Sequence, residues 1–223
     1  MKHFLLACFI PMTLAAQNMQ HLTEQLGKTV LYGDVALSPD GTHVSWVQST
    51  AASTSKQTYI RETSGNAPAK LVNLPITGER TDFDLAWSPD SKLLAFGSVT
   101  GEPYSLGLMR SPASLQPDVR YREVVGGYVG ELAWSPDGSK LAISTYTIDR
   151  LSHSVLITDP GDGYAPRLLD GCHVTWSPDS AYVAVHRDPG AEPGAWVVSA
   201  TDAAERWAIT REVQAFPLTW LEG

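Results

Sequence analysis

Short apolar runs broken by turn residues, with no helical spacing, organise this chain. From Asp34 onward the apolar positions fall into brief segments rich in Val, Ile, Trp and Tyr, cut by Gly, Pro, Asp and Ser. That punctuation predicts strands and tight turns. The segments recur in sets of four. The first set reads DVALS, HVSWVQ, TYIRET and AKLVNL, and the second DLAWS, LLAFGS, SLGLMR and REVVGG. The third reads GELAWS, KLAIST, HSVLIT and PRLLDG, and the fourth HVTWS, YVAVHR, AWVVSA and RWAITR. Runs such as KLLAF do not alternate, which predicts strands covered on both faces.

Aligned on the residue before Ser-Pro-Asp, the sets give Leu37, Trp87, Trp134 and Trp176, and a degenerate FPLTWLEG supplies Trp220. The successive intervals are 50, 47, 42 and 44 residues. Four short strands in a period of this length match one blade of a β-propeller. The expected fold is all-β: a propeller of four four-stranded blades at about 34–80, 82–127, 129–171 and 172–214, plus a partial fifth at 215–223. The repeated turn has a physical reading. Pro39, Pro89, Pro136 and Pro178 fix φ for the first corner, and Asp40, Asp90, Asp137 and Asp179 bond to amides of the same turn. Gly41 and Gly138 supply positive φ, with Ser91 and Ser180 in their place elsewhere. The tryptophan before the turn is expected to wedge between blades. Ser45, Ala95, Ala142 and Ala184 share one aligned position, where small residues are expected as blades converge on the axis.

With these residues in hand, the chain resembles WD-like propeller repeats of the TolB type, whose hallmark is a WSPDG turn, over about 34–220. It is also similar to the N-terminal propeller of prolyl oligopeptidase-family serine peptidases, where a leader such as His21–Gln48 opens the first blade. The second resemblance would imply a separate α/β hydrolase domain carrying a Gly-x-Ser-x-Gly elbow. GSVTG, Gly97–Gly101, has the flanking glycines but valine at the nucleophile position, so nothing catalytic is carried over.

Residues 1–16 have a basic start at Lys2, an apolar run from Phe4 to Ile10 and small residues at Ala15 and Ala16, the layout of a cleaved signal peptide. Residues 17–33 then form a leader and 34–223 the propeller domain. The expected location is periplasmic or secreted, and no membrane span is predicted. Cleavage removes Cys8 and leaves Cys172, which reads as a small buried residue. The 223 residues carry a formal net charge of −8. With no basic run, such a chain is repelled by phosphate backbones, so nucleic acid is not expected as a partner.

The six histidines (His3, His21, His43, His153, His173 and His186) show no metal-ligand spacing, and His43 and His173 read as half-exposed strand residues. DPGDG, Asp159–Gly163, and RDPGAEPG from Arg187 read as turns between strands rather than calcium loops. Ser53–Gln57 and Thr100–Tyr104 lie in polar loops of the kind that carry contacts. No catalytic, cofactor-binding or metal-ligating residue is assigned, and no cofactor is expected. An isolated first strand at AFPLTW admits three outcomes: a small closed ring, copies completing one another through open blade edges, or a shortened relative of a longer propeller, which the usual blade numbers of the resembled family favour. The sequence therefore predicts a non-catalytic module that binds or scaffolds a protein or peptide. The alternative is the propeller portion of a prolyl oligopeptidase-type peptidase without its hydrolase domain. A propeller lyase or glycosidase would need carboxylates or histidines clustered along the axis.

Overall fold

The computed structural model describes residues 29–50, 53, 55–73, 79–99, 104–110, 118–123, 128–146, 153–158, 167–187, 193–202, 204–211 and 220. The signal-peptide segment, most of the leader, the DPGDG turn and AFPLT fall outside the described residues. Those described form strands and turns, with no helix among them.

The strands make four antiparallel sheets of four, each a simple meander in chain order. The first sheet holds β1 (Val30–Leu37), β2 (His43–Thr50), β3 (Gln57–Glu62) and β4 (Lys70–Leu71). The second holds β5 (Thr81–Trp87), β6 (Leu93–Val99), β7 (Tyr104–Arg110) and β8 (Asp118–Glu123). The third holds β9 (Tyr128–Trp134), β10 (Leu141–Tyr146), β11 (His153–Thr158) and β12 (Arg167–Asp170). The fourth holds β13 (Cys172–Trp176), β14 (Tyr182–Arg187), β15 (Gly194–Ser199) and β16 (Arg206–Thr210).

Three elements differ from expectation. β8 is DVRYRE rather than REVVGG, because its register is set by β7, with Ser105 opposite Glu123 and Arg110 opposite Asp118. β4 shrinks to Lys70–Leu71, paired only with Tyr59 and Ile60. β1 begins at Val30, so the end of the leader belongs to the first sheet.

The core lies between sheets. One buried cluster joins Ile60 and Val72 to Trp87, Leu94 and Phe96. A second joins Ala95, Leu106 and Leu108 to Val129, Leu141 and Ile143. A third joins Ala142, Val155 and Leu169 to Trp176, Val183, Val185 and Trp196. Each fully buried aliphatic or aromatic side chain is worth ~1.5–3 kcal/mol, and each of these is buried only when two sheets meet. Among the described residues no such cluster joins the fourth sheet to the first, and no closed ring is seen among them.

The tryptophans lock this stacking. Trp134 Nε1 donates to the Ala86 carbonyl of the preceding sheet at 2.9 Å, and Trp176 Nε1 to the Ala133 carbonyl at 2.9 Å. Trp220 Nε1 donates in the same way to Thr175 at 3.3 Å. Directly across the strand from Ala86, Ala133 and Thr175 stand Ala95, Ala142 and Ala184. The aligned small residue therefore belongs to the seat of the next sheet's indole, a more local reason than convergence on an axis. In the first sheet Ser45 occupies the seat opposite Ala36 and intervenes chemically: it accepts from Trp87 Nε1 at 3.0 Å and donates to the Ala36 carbonyl at 3.3 Å.

The Ser-Pro-Asp turns sit between first and second strands, as their composition predicts. Their hub is the serine. Buried Ser135 donates to Asp137 at 2.6 Å and accepts from the Lys140 amide at 2.9 Å, while Asp137 accepts from the Ser139 amide at 2.9 Å. Ser38, Ser88 and Ser177 repeat the pattern. Ser91 and Ser180 hold the positive φ of 61° that Gly41 and Gly138 hold at 72°. That conformation is costly for a residue with a Cβ. Each offsets the cost by accepting, at 3.0 Å, the amide of the preceding sheet's turn aspartate: Asp40 for Ser91 and Asp137 for Ser180.

The seat makes a sharp test. Ala95→Leu should lose ~1–3 kcal/mol of stability by overpacking against Trp134, whereas Ala95→Ser, the residue the first sheet uses, should change it by less than about 1 kcal/mol. Denaturant midpoints of the two variants measure this; equal losses would contradict the seat.

Candidate functional site

Every first strand is broken at one place. The register slips at Asp34 in β1, at Asp84–Leu85 in β5, at Gly130 in β9 and at His173 in β13. A bulge inserts an extra residue and re-aims a side chain. Asp34, Asp84 and His173 take positive φ of 38°, 51° and 51° there. Aspartate and histidine tolerate the left-handed region better than most residues with a Cβ. One offset links the polar residues at or beside these breaks: Asp34, Asp84, Glu131 and His173 stand three residues before Leu37, Trp87, Trp134 and Trp176, Glu131 being the residue next to the Gly130 break and itself paired with Ser144.

Three of these polar residues stand at the breaks and Glu131 beside one, and together they form a row across the stack. A cleft of about 310 Å³ is lined by Asp34, Asp84 and Glu131, with Val35, Leu85 and Leu132 between them. The Asp84 amide donates to Asp34 Oδ2 at 3.3 Å. Glu131 Oε1 lies 2.8 Å from His173 Nδ1, extending the row onto the fourth sheet. Neither Asp34 nor Asp84 has an ion-pair partner among the described residues. Burial and the charges of Asp34 and Glu131 push the Asp84 carboxyl up to about 6. Among the described residues the row is thus an acidic cleft in which Glu131 alone has a basic neighbour, His173, and which Val35, Leu85 and Leu132 also line.

Sequence reasoning missed it. The turn aspartates, which recur just as regularly, were explained by structure, and rightly so. Asp40 and Asp137 are held down at about 2, chiefly by the hydroxyls of Ser38 and Ser135, and Ser88 and Ser177 lower Asp90 and Asp179 in the same way. The available signal was the fixed offset of a polar residue inside an otherwise apolar strand.

Other predicted positions fall elsewhere. Of the Ser53–Gln57 loop, Lys56 stitches the first two sheets: its amide donates to the Arg80 carbonyl at 2.9 Å, and its carbonyl accepts from the Asp82 amide at 2.8 Å. Buried Asp82 pins the same joint, accepting from the Thr58 amide at 2.8 Å and Ser98 Oγ at 2.7 Å, with Arg80 Nη2 at 3.2 Å. Burial outweighs these partners and raises its carboxyl above the ordinary range. Residues 100–103 lie outside the described residues. Gly97 lies within β6, where a Cβ would come 2.3 Å from the Phe83 ring, so close packing is the reason for glycine there. Cys172 is buried, its Sγ 3.9 Å from His186 Nδ1. His43 is half-buried, with its ring centroid 6.0 Å from that of Trp87. Among the described residues no three His, Cys, Asp or Glu side chains are grouped to hold a metal ion, and no helix is long and apolar enough to cross a membrane.

No family model and no curated protein matches the chain. Solved structures do. TolB from Acinetobacter baumannii is 18% identical with a TM-score of 0.51, over 75% of this chain and 40% of that one. A puromycin-hydrolysing peptidase of Mycobacterium tuberculosis is 17% identical with a TM-score of 0.58, over 84% of this chain and 30% of that one. The β-propeller domain of the Trilobed protease from Pyrococcus furiosus, described as having an open velcro topology, is 16% identical with a TM-score of 0.59, over 82% and 58%. The chain therefore spans less than two thirds of each. At these identities the likeness shows the fold, a β-propeller of the TolB type.

The two sets of carboxylates act oppositely on stability. Asp84, raised to about 6 from 3.8, takes up its proton in the folded protein first, so stability rises as pH falls through about 6. Asp40 and Asp137, lowered from 3.8 to about 2, take theirs up in the unfolded chain first, so stability is lost as pH falls from about 4 towards 2. Thermal midpoints should peak between about pH 4 and 5, and Asp84→Asn should flatten the limb above that peak while leaving the acid limb intact. An unchanged upper limb would contradict the assignment.

Proposed function

We propose that the protein is an exported, non-catalytic propeller module that binds a protein or peptide partner, and that the partner presents basic groups to the cleft at Asp34, Asp84 and Glu131. The observation that carries this reading is the acidic row of Asp34, Asp84 and Glu131, polar residues at one offset from the turn in successive sheets. Asp34 and Asp84, with no ion-pair partner among the described residues, repel one another when both are charged, and a lysine, arginine or peptide amine placed between them would relieve that repulsion. The apolar side chains of Val35, Leu85 and Leu132 would take the methylene stems of such side chains. The overall charge of −8 would steer basic partners inward and turn acidic ones away. Export rests on the layout of residues 1–16.

A second reading has its own support. Two of the similar solved structures are a peptidase and a protease propeller domain, and the chain could serve as the propeller portion of a prolyl oligopeptidase-type enzyme. Its test is a reading of the DNA downstream of Gly223, where an in-frame Gly-x-Ser-x-Gly would support it and its absence would count against it.

For the binding reading, fluorescence anisotropy with a labelled Lys/Arg peptide and a Glu/Asp peptide of equal length is decisive. The basic peptide should bind, weaken with salt, and weaken roughly tenfold (about 1.4 kcal/mol) in D84N/E131Q. Equal binding of both peptides, or affinity indifferent to D84N/E131Q, would remove the cleft from the account.

A further inference from the structure

We propose that the face of the first sheet turned away from the second is a self-association surface, occupied by the same face of a second copy of this chain about a two-fold axis. The face follows from the pleat. Ala36, Ser45 and Ile60 are cross-strand neighbours and point at the second sheet, where Trp87 bonds to Ser45. Residues of the opposite parity point away: Val35 and Leu37 on β1, Val44 and Trp46 on β2, and Tyr59 on β3, joined beyond the bulge by Tyr32 opposite Gln48. Tyr32, Val35 and Leu37 are 67%, 69% and 61% exposed. Trp46 and Tyr59 stack beside them at 6.0 Å, with Trp46 Nε1 donating to Gln48 Oε1 at 3.0 Å. Contiguous exposed apolar side chains of this kind mark an interaction surface.

Continuity with the interfaces inside the chain says what sort of surface it is. The equivalent faces of the later sheets carry Trp87, Trp134 and Trp176, and each is covered by the sheet before it. On the first sheet Leu37 stands in that tryptophan's place. A leucine needs no carbonyl to accept a proton, so the partner need only be an apolar sheet face. Charge narrows the choice to a second copy. The chain is strongly acidic, yet the outward set contains no carboxylate and a single cation, Arg61, at its margin. Away from Val35, which borders the acidic cleft, two such faces can therefore meet without apposing acidic groups. The other end of the stack is a poorer mate, because its inner strand β13 already receives the Trp220 indole on the Thr175 carbonyl. A contact between like faces closes on itself as a dimer, whereas a head-to-tail contact would propagate.

Sedimentation velocity on the full chain over a wide concentration range tests this. Wild type should sediment as a dimer, and Tyr32→Glu with Leu37→Glu, neither of which lines the acidic cleft, should raise the dimer dissociation constant at least about a hundredfold, with the milder Y32S/L37S pair giving a smaller change in the same direction. Circular dichroism should be unchanged in both, since these side chains are exposed. Trp207→Glu, on the exposed outer strand of the fourth sheet, should leave the dimer intact. A wild-type monomer at every concentration, a dimer indifferent to Y32E/L37E, or open-ended oligomers dispersed by W207E would each overturn the proposal.

Discussion

One contact recurs through this molecule and the rest hangs from it: an indole N–H reaching across a sheet interface to a main-chain carbonyl, over a residue too small to obstruct it. It couples a directional bond to the burial of the largest side chain available. Each sheet alone has two faces and no core. The interface makes the core, and the tryptophan sets how the next sheet must sit. Sequential interfaces of one design give a nearly one-dimensional object, in which each repeat is stabilised by its neighbours.

The repeat explains why so much of the fold could be read from the letters. A tryptophan, a Ser-Pro-Asp turn and a small residue at fixed offsets are local demands of one recurring interface. The strands next to the turn accordingly lie where the pattern put them, β14 to the residue. The outer strands were less legible. β8 and β4 take their limits from pairing with β7 and β3, and register is a property of two strands that neither sequence carries alone. The seat of Ser45, Ala95, Ala142 and Ala184 was visible as a position, but its purpose was not, because the indole it receives comes from a residue more than 30 positions away.

The cleft was written in the sequence and overlooked. Asp34, Asp84 and His173 look like ordinary strand polars until the bulges turn them, and Glu131 until the break beside it sets it in the same row. A bulge depends on how the partner strand pairs, so an alternating pattern cannot announce it. The offset from the tryptophan was the accessible signal, and it has the same origin as the fold: successive sheets are built alike, so a polar residue repeated in sequence becomes a row in space.

The central claim is that the indoles are bonded across the interfaces, and side-chain hydrogen exchange of ¹⁵N-labelled tryptophan reads it directly. Among the seven tryptophans, the Nε1 protons of Trp134 and Trp176 should exchange only on global unfolding, while that of exposed Trp207 exchanges freely. Rapid exchange at Trp134 and Trp176 in the folded protein would contradict the account.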